Sequence, residues 1–123
     1  MADRQYVGTY RITGLVPAGR ALEAYRAVAP EGRTVVVKLM APLDGEHFAA
    51  ALRELAAVEH PNLARVLDWG ADEDLAYVVT EAVEGTDLAS LTALGGPPAA
   101  AIVAELGAQA AAALAALHAR GIV

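Results

Sequence analysis

From Tyr10 to Met40 apolar and polar residues alternate, and past Gly45 the apolar spacing lengthens to three and four residues. Side chains alternate faces along a strand but return to one face about every 3.6 residues along a helix, so this switch separates a strand region from a helical one. Tyr10–Val16, Ala21–Val28 and Arg33–Met40 read as strands. The turns PAGR (Pro17–Arg20) and APEG (Ala29–Gly32) join them into an antiparallel meander. Glu46–Val58 sets Phe48, Leu52, Leu55 and Ala56 on one helix face, with Asp44 or Gly45 as N-cap. Pro61 ends that helix, because the residue before a proline is driven out of helical geometry. Leu63–Trp69 and Leu75–Thr80 read as two more strands around a polar loop, GADED (Gly70–Asp74). Asp87–Leu94 is a short helix, broken by GGPP (Gly95–Pro98). Pro98–Arg120 is a long Ala-rich helix, expected to be buried and stopped by Gly121. The expected class is α+β: a five-stranded antiparallel sheet with one helix, then two helices that open a second unit.

The totals limit the function classes. A chain of 123 residues is one domain or part of one, and 56% apolar residues suffice for a core. Net charge is −6 with no basic stripe, which argues against nucleic acid or an anionic membrane as partner. There is no cysteine, hence no disulfide, thiolate zinc site or thiol nucleophile. The start, MADRQYVGTY, has no apolar signal core, and a cytoplasmic location is expected. The most apolar stretch, Pro98–Leu117, is interrupted by Glu105 and Gln109 and reads as a protein helix rather than a membrane span.

Lys38 stands out: it is the single lysine, in a chain with eight arginines, and it sits inside the strand RTVVVKLM (Arg33–Met40). Around it runs an ordered series: VVVK (Val35–Lys38), HPNLARVLDWG (His60–Gly70), YVVTEAVEGTDLASL (Tyr77–Leu91) and AAALAALHARGIV (Ala111–Val123). In order and spacing this series resembles the eukaryotic-type (Hanks-type) bacterial serine/threonine protein kinases, across about residues 10–123. The resemblance implies an N-terminal extension (1–9), a kinase-like N-lobe with hinge (10–84) and the first helices, D and E, of a C-lobe (85–123). It assigns Lys38 to the α- and β-phosphates of ATP, a role for which a compact ammonium suits better than a guanidinium. It places Val16, Gly19, Ala24 and Val36 around the nucleotide, Thr80 as gatekeeper, and Glu81 to Val83 as hinge. The catalytic loop and magnesium ligands of the family would follow Val123, so no catalytic residue is assigned within the chain, and magnesium is expected only with ligands further on.

The sequence departs from the family at several of these places. In the phosphate-covering loop, written G-x-G-x-x-G-x-V in the family, the corresponding residues are Pro17, Gly19, Leu22 and Ala24. Pro17 has no N–H to offer a phosphate, and Leu22 brings a side chain into the loop. Val36 replaces an alanine that packs on adenine. Ala51 occupies the position of the helix glutamate that pairs with the lysine, and Glu54, three residues on, is the substitute partner to consider. These departures favour a pseudokinase-like regulatory or protein-binding module with weak or no ATP binding. The alternative is the ATP-binding lobe of an active kinase acting on a protein substrate. Self-association through Pro98–Arg120 is also expected, because a lone apolar helix face needs cover. His60 reads as a brace of the helix-to-strand turn, and His47 and His118 have no metal-ligand spacing. Asp72, Glu73 and Asp74 read as a solvated hairpin tip. Asp87 reads either as an N-cap or as a ribose contact.

Overall fold

The computed structural model describes residues 4–42 and 45–123. Six strands, β1 (Tyr6–Val7), β2 (Tyr10–Leu15), β3 (Glu23–Val28), β4 (Thr34–Met40), β5 (Val66–Asp72) and β6 (Leu75–Glu81), form one antiparallel sheet. Its order is β1-β2-β3-β4-β6-β5. Helix α1 (Gly45–Ala56) lies between β4 and β5 in sequence, and α2 (Leu88–Gly95) and α3 (Ala100–His118) follow the sheet. The sheet therefore has six strands, where five were expected. The additional one, β1, is a two-residue pairing of Tyr6 and Val7 with Arg11 and Tyr10, too short to carry a period.

The period-2 pattern of β4 divides the sheet into two faces. Val35, Val37 and Leu39 are at most 1% exposed and join Val7, Tyr25 and Val79 in a core closed by the curl of the sheet. Val36, Lys38 and Met40 point the other way. There, α1 covers the Met40 end: Leu52, Val66 and Val78 are buried with Phe48, Leu55 and Trp69 packed against them. The Val36–Lys38 end stays outside that cluster.

Several loops differ from expectation. The hairpin expected over Gly70–Asp74 is tighter, because β5 continues to Asp72 and the chain reverses at Glu73 and Asp74, with Glu73 at φ 56°. Asp72 is half-buried rather than fully solvated: its carboxylate pairs with Arg4 at 3.0 Å. Gly45 is the first residue of α1 rather than its cap, and Asp44 lies outside the described residues. Asp87 caps α2, accepting 2.8 Å from the Ser90 N–H. Gly121, at φ 76°, reverses the chain after α3 as expected, and its N–H donates to the His118 carbonyl. Helix α3 itself is exposed: of its residues only Ala113 is buried, with Leu106, Ala116 and Leu117 half-buried. It is long and apolar enough to cross a membrane by length and composition.

A polar cluster ties the N-terminal segment to the β5–β6 hairpin. The Tyr10 hydroxyl donates to Asp68 at 2.6 Å, and the rings of Tyr10 and Tyr77 meet edge to face at 6.3 Å. Burial, then the hydrogen bond to Asp68 and its charge, push the Tyr10 phenol well above its ordinary value. Burial and the Asp68 and Asp72 carboxylates push Tyr77 the same way. The fold thus favours neutral phenols. Their contribution is complete below about pH 10, the ordinary tyrosine value, and is lost as pH climbs through the raised folded-state values. Alkaline titration of stability by circular dichroism should show a decline above about pH 10, and Tyr10→Phe should flatten it. At neutral pH the same substitution should lower stability by about 1.5–3 kcal/mol, since it removes a bond to a carboxylate. Gly70 supplies a second test. A Cβ there would stand 2.7 Å from the Tyr77 hydroxyl, whereas Gly14 has open space around it. Gly70→Ala should therefore destabilise by about 1–3 kcal/mol in urea unfolding, and Gly14→Ala by much less.

Candidate functional site

The open end of the second sheet face forms one wall of a cleft of about 450 Å³. Strand register explains its composition. Val36 pairs with Arg26 on one side and Thr80 on the other, and Lys38 pairs with Ala24 and Val78. Cross-strand partners share a face, so Arg26, Val36 and Thr80 form one row beneath the loop that joins β2 and β3. Val16 and Pro17 close the cleft from that loop. Glu81 and Val83 through Asp87, the connection from β6 to α2, close it from the other side.

Six of the residues picked from sequence meet here: Val16, Val36, Lys38, Thr80, Glu81 and Val83. Two do not line the cleft. Ala24 is 1% exposed within the sheet beside Lys38. Gly19 sits at the loop tip with φ 58° and nothing within 4 Å of a would-be Cβ. Sequence reasoning missed Arg26, although its position was readable: it lies two residues after Ala24, hence on the same strand face. Asp87 both caps α2 and lines the cleft. Hydrogen bonds from the Ser90 N–H and hydroxyl hold its carboxyl below the usual range, so it faces the cleft as an anion.

The loop over the cleft uses much of its own hydrogen-bonding capacity. Val16 N–H donates to Ala24 at 3.1 Å, Ala21 N–H to Ala18 at 2.9 Å, and Leu22 N–H to Leu39 at 2.9 Å. Pro17 has no N–H. The backbone groups able to approach an anion are thereby reduced to those around Ala18–Arg20. Leu22 is 60% exposed and turns outward.

Lys38 is exposed, and among the described residues it forms no ion pair. Helix α1 packs on β5 through Leu52 and its half-buried neighbours Phe48 and Leu55, while Ala51 and Glu54 both lie on its exposed surface. Among the described residues Glu54 forms no ion pair with Lys38. On the far side of the helix, the His60 Nδ1 accepts from the Asn62 N–H at 3.1 Å, which makes His60 a brace of this turn. Asn62 in turn donates to the Gln109 carbonyl at 3.0 Å and joins the sheet unit to α3. Glu81 accepts from the Arg65 N–H at 2.9 Å and fixes the end of β6 against the start of β5. The described residues contain no group of three or more acidic or histidine side chains placed for a metal ion.

A family model described as the phosphotransferase enzyme family matches residues 14–121. The serine/threonine-protein kinase PkaA of Streptomyces coelicolor is 36% identical over 121 residues, covering 90% of this chain. The serine/threonine-protein kinase pkn2 of Myxococcus xanthus is 42% identical over 79 residues, covering 63% of it. The chain spans only 22% and 9% of those two proteins. Among solved structures, the PknI kinase domain of Mycobacterium tuberculosis superimposes with a TM-score of 0.85 at 23% identity, over 98% of this chain and 53% of that one. Rad53 in complex with AMP-PNP superimposes with a TM-score of 0.78 at 26% identity, over 92% and 31%. The sheet and its packed helix agree with these matches, and the chain belongs to the phosphotransferase enzyme family, where it corresponds to the N-terminal region of a bacterial Hanks-type kinase.

Proposed function

We propose that this region serves as a pseudokinase-like regulatory or protein-binding module in which ATP binds weakly or not at all. The observation that carries the reading is that Ala51, on the exposed surface of α1, stands at the sequence position where the resemblance puts the glutamate that pairs with Lys38. A lysine without its carboxylate partner is less well fixed in direction, and phosphoryl transfer depends on fixed charges. Pro17 and the internally bonded loop support the same reading, as does the added bulk of Val36. Val16, Val36 and Thr80 would enclose whatever part of a nucleotide enters. Lys38 would meet its phosphates, and the backbone of Glu81 to Val83 its base. Gly19 and Ala24 would act through the shape of the loop. The division into an extension (1–9), an N-lobe with hinge (10–84) and the opening of a C-lobe (85–123) belongs to this proposal, with β1 falling inside the extension.

The alternative reading, an ATP-binding lobe of an active serine/threonine kinase with a protein substrate, draws on one observation. Lys38 stands on the cleft face of β4 with Thr80 beside it, in a chain 36% identical to PkaA over most of its length. Calorimetric titration with ATP and magnesium separates the two. The module reading expects no binding tighter than about 100 μM, which corresponds to about 5.5 kcal/mol. It also expects Ala51→Glu to improve affinity roughly fivefold, near the upper range of an exposed ion pair, with the gain lost on adding Lys38→Met. Low-micromolar affinity that disappears with Lys38→Met alone would favour the active lobe.

The apolar arc of α3 belongs to the same proposal. Ile102, Val103 and Leu114 are 54%, 52% and 52% exposed and flank the packed Leu106, Ala113 and Leu117. At about 100° per residue all six fall within one third of the helix circumference. In the 123-residue chain this arc should drive self-association. Light scattering should give a mass above the 12.6 kDa monomer, and Ile102→Lys with Leu114→Lys should return it to the monomer value.

A further inference from the structure

Arg26 enters the Lys38 cleft without a partner for its charge. It is half-buried on β3, and among the described residues its guanidinium forms no ion pair. The Thr13 hydroxyl donates to its backbone carbonyl at 3.2 Å and leaves the side chain unused. Its cross-strand neighbours are Gly14 and Val36, and neither can answer a charge. A guanidinium drawn partly out of water with nothing to bond is costly, and a bound anion would offset that cost.

Lys38 is a second such group. It pairs with Ala24, two residues before Arg26, so the two cations are diagonal neighbours on one sheet face, about 7–8 Å apart at the backbone. Side chains of their length can converge on one group from that separation. The opposite wall has the reverse sign. Glu84 and Asp87, both exposed, line it from the connection between β6 and α2. Glu81 lies there too, but its carboxylate already accepts from the Arg65 N–H at 2.9 Å. A row of phosphates long enough to cross the cleft would run into these carboxylates. A single dianionic head would be matched by the two cations, and hydroxyl groups behind it would find acceptors in Glu84 and Asp87. Val16, Val36 and Val83 suit a body with one apolar face.

We propose that this cleft seats a phosphate monoester with a hydroxyl-bearing body, the chemistry shared by sugar phosphates and nucleoside monophosphates. Arg26 and Lys38 hold the phosphate, and Glu84 and Asp87 accept from the hydroxyls. Arg26 is the residue that sets the ligand class: its planar fork takes two phosphate oxygens at once, and Lys38 adds a point charge. The proposal rests on the reading of this cleft as one that ATP fills poorly, and it gives the module a small regulatory ligand.

The test is a proton–nitrogen NMR titration of the whole chain in magnesium-free buffer, following the arginine Nε–H signals. The Arg26 signal is the one missing from Arg26→Gln protein. Ribose 5-phosphate and AMP are the probes, with ribose, adenosine and inorganic phosphate as controls. A saturable movement of the Arg26 signal is expected for a monoester, with a dissociation constant below about 1 mM. Each control should bind at least roughly tenfold more weakly. Equal affinity of the two probes identifies a sugar phosphate as sufficient, and tighter AMP identifies a nucleoside monophosphate. Variants are followed by the phosphorus signal of the ligand. Arg26→Gln and Lys38→Met should each weaken binding about tenfold or more, and Arg26→Lys, which keeps the charge but not the fork, should restore part of it. The proposal is overturned if neither monoester moves the Arg26 signal, if a control binds as tightly, or if Arg26→Gln protein with unchanged circular dichroism binds as well as the parent. If that variant does not fold, Lys38→Met at its exposed position decides by the same criterion. ATP with magnesium is titrated into the same protein. Low-micromolar ATP binding would undo the underlying reading, whereas silence from both ATP and the monoesters would overturn this proposal and leave that reading standing.

Discussion

The pairing register of β4 holds the molecule together and also makes its cleft. Val35, Val37 and Leu39 enter the core on one face, and Val36, Lys38 and Met40 stand on the other. A slip of one residue would bury the ammonium of Lys38 in the core and expose Val37, a change no other contact in the sheet could offset. Because β4 lies between β3 and β6, the same register carries Arg26 and Thr80 to the cleft. Core stability and site geometry therefore rest on one set of backbone hydrogen bonds.

The comparisons and the site chemistry point in different directions. The fold agrees closely with solved kinase domains, and family membership follows from a match over nearly the whole chain. On the proposed reading, the groups that would grip a nucleotide are thinned out: a proline in the loop, loop N–H groups that bond internally, and an alanine at the sequence position of the family's helix glutamate. A scaffold tolerates such losses because none of these positions contributes to either hydrophobic cluster. Fold and activity can part company wherever the functional groups sit on loops and exposed helix faces.

Much of the architecture was legible in the sequence. Strands β2, β3 and β4 and helix α1 follow from period alone, and the His60 brace follows from local residue chemistry, which leaves Asp87 open between a cap and a ribose contact. The misses have physical causes. β1 consists of two residues held by a neighbouring strand, so it has no pattern of its own. The hairpin after β5 was read as a polar loop because Asp72 is charged. Its charge is satisfied by Arg4, 68 residues away in sequence, and that pairing is invisible to local reading. Helix α3 was expected to be buried because it is apolar, but composition gives the appetite of a helix for cover and not the presence of a partner.

By itself the sequence determined the element order from β2 onward, the face on which Lys38 stands and the absence of a glutamate at position 51. Each of these depends only on residue type and local period. Tertiary structure decided the rotation of α1, because packing of Leu52 and Leu55 on β5 leaves Ala51 and Glu54 both on the exposed surface. It also decided that Arg26 joins the cleft. That depends on which strands become neighbours, and neighbours are chosen by long-range pairing that no single segment encodes.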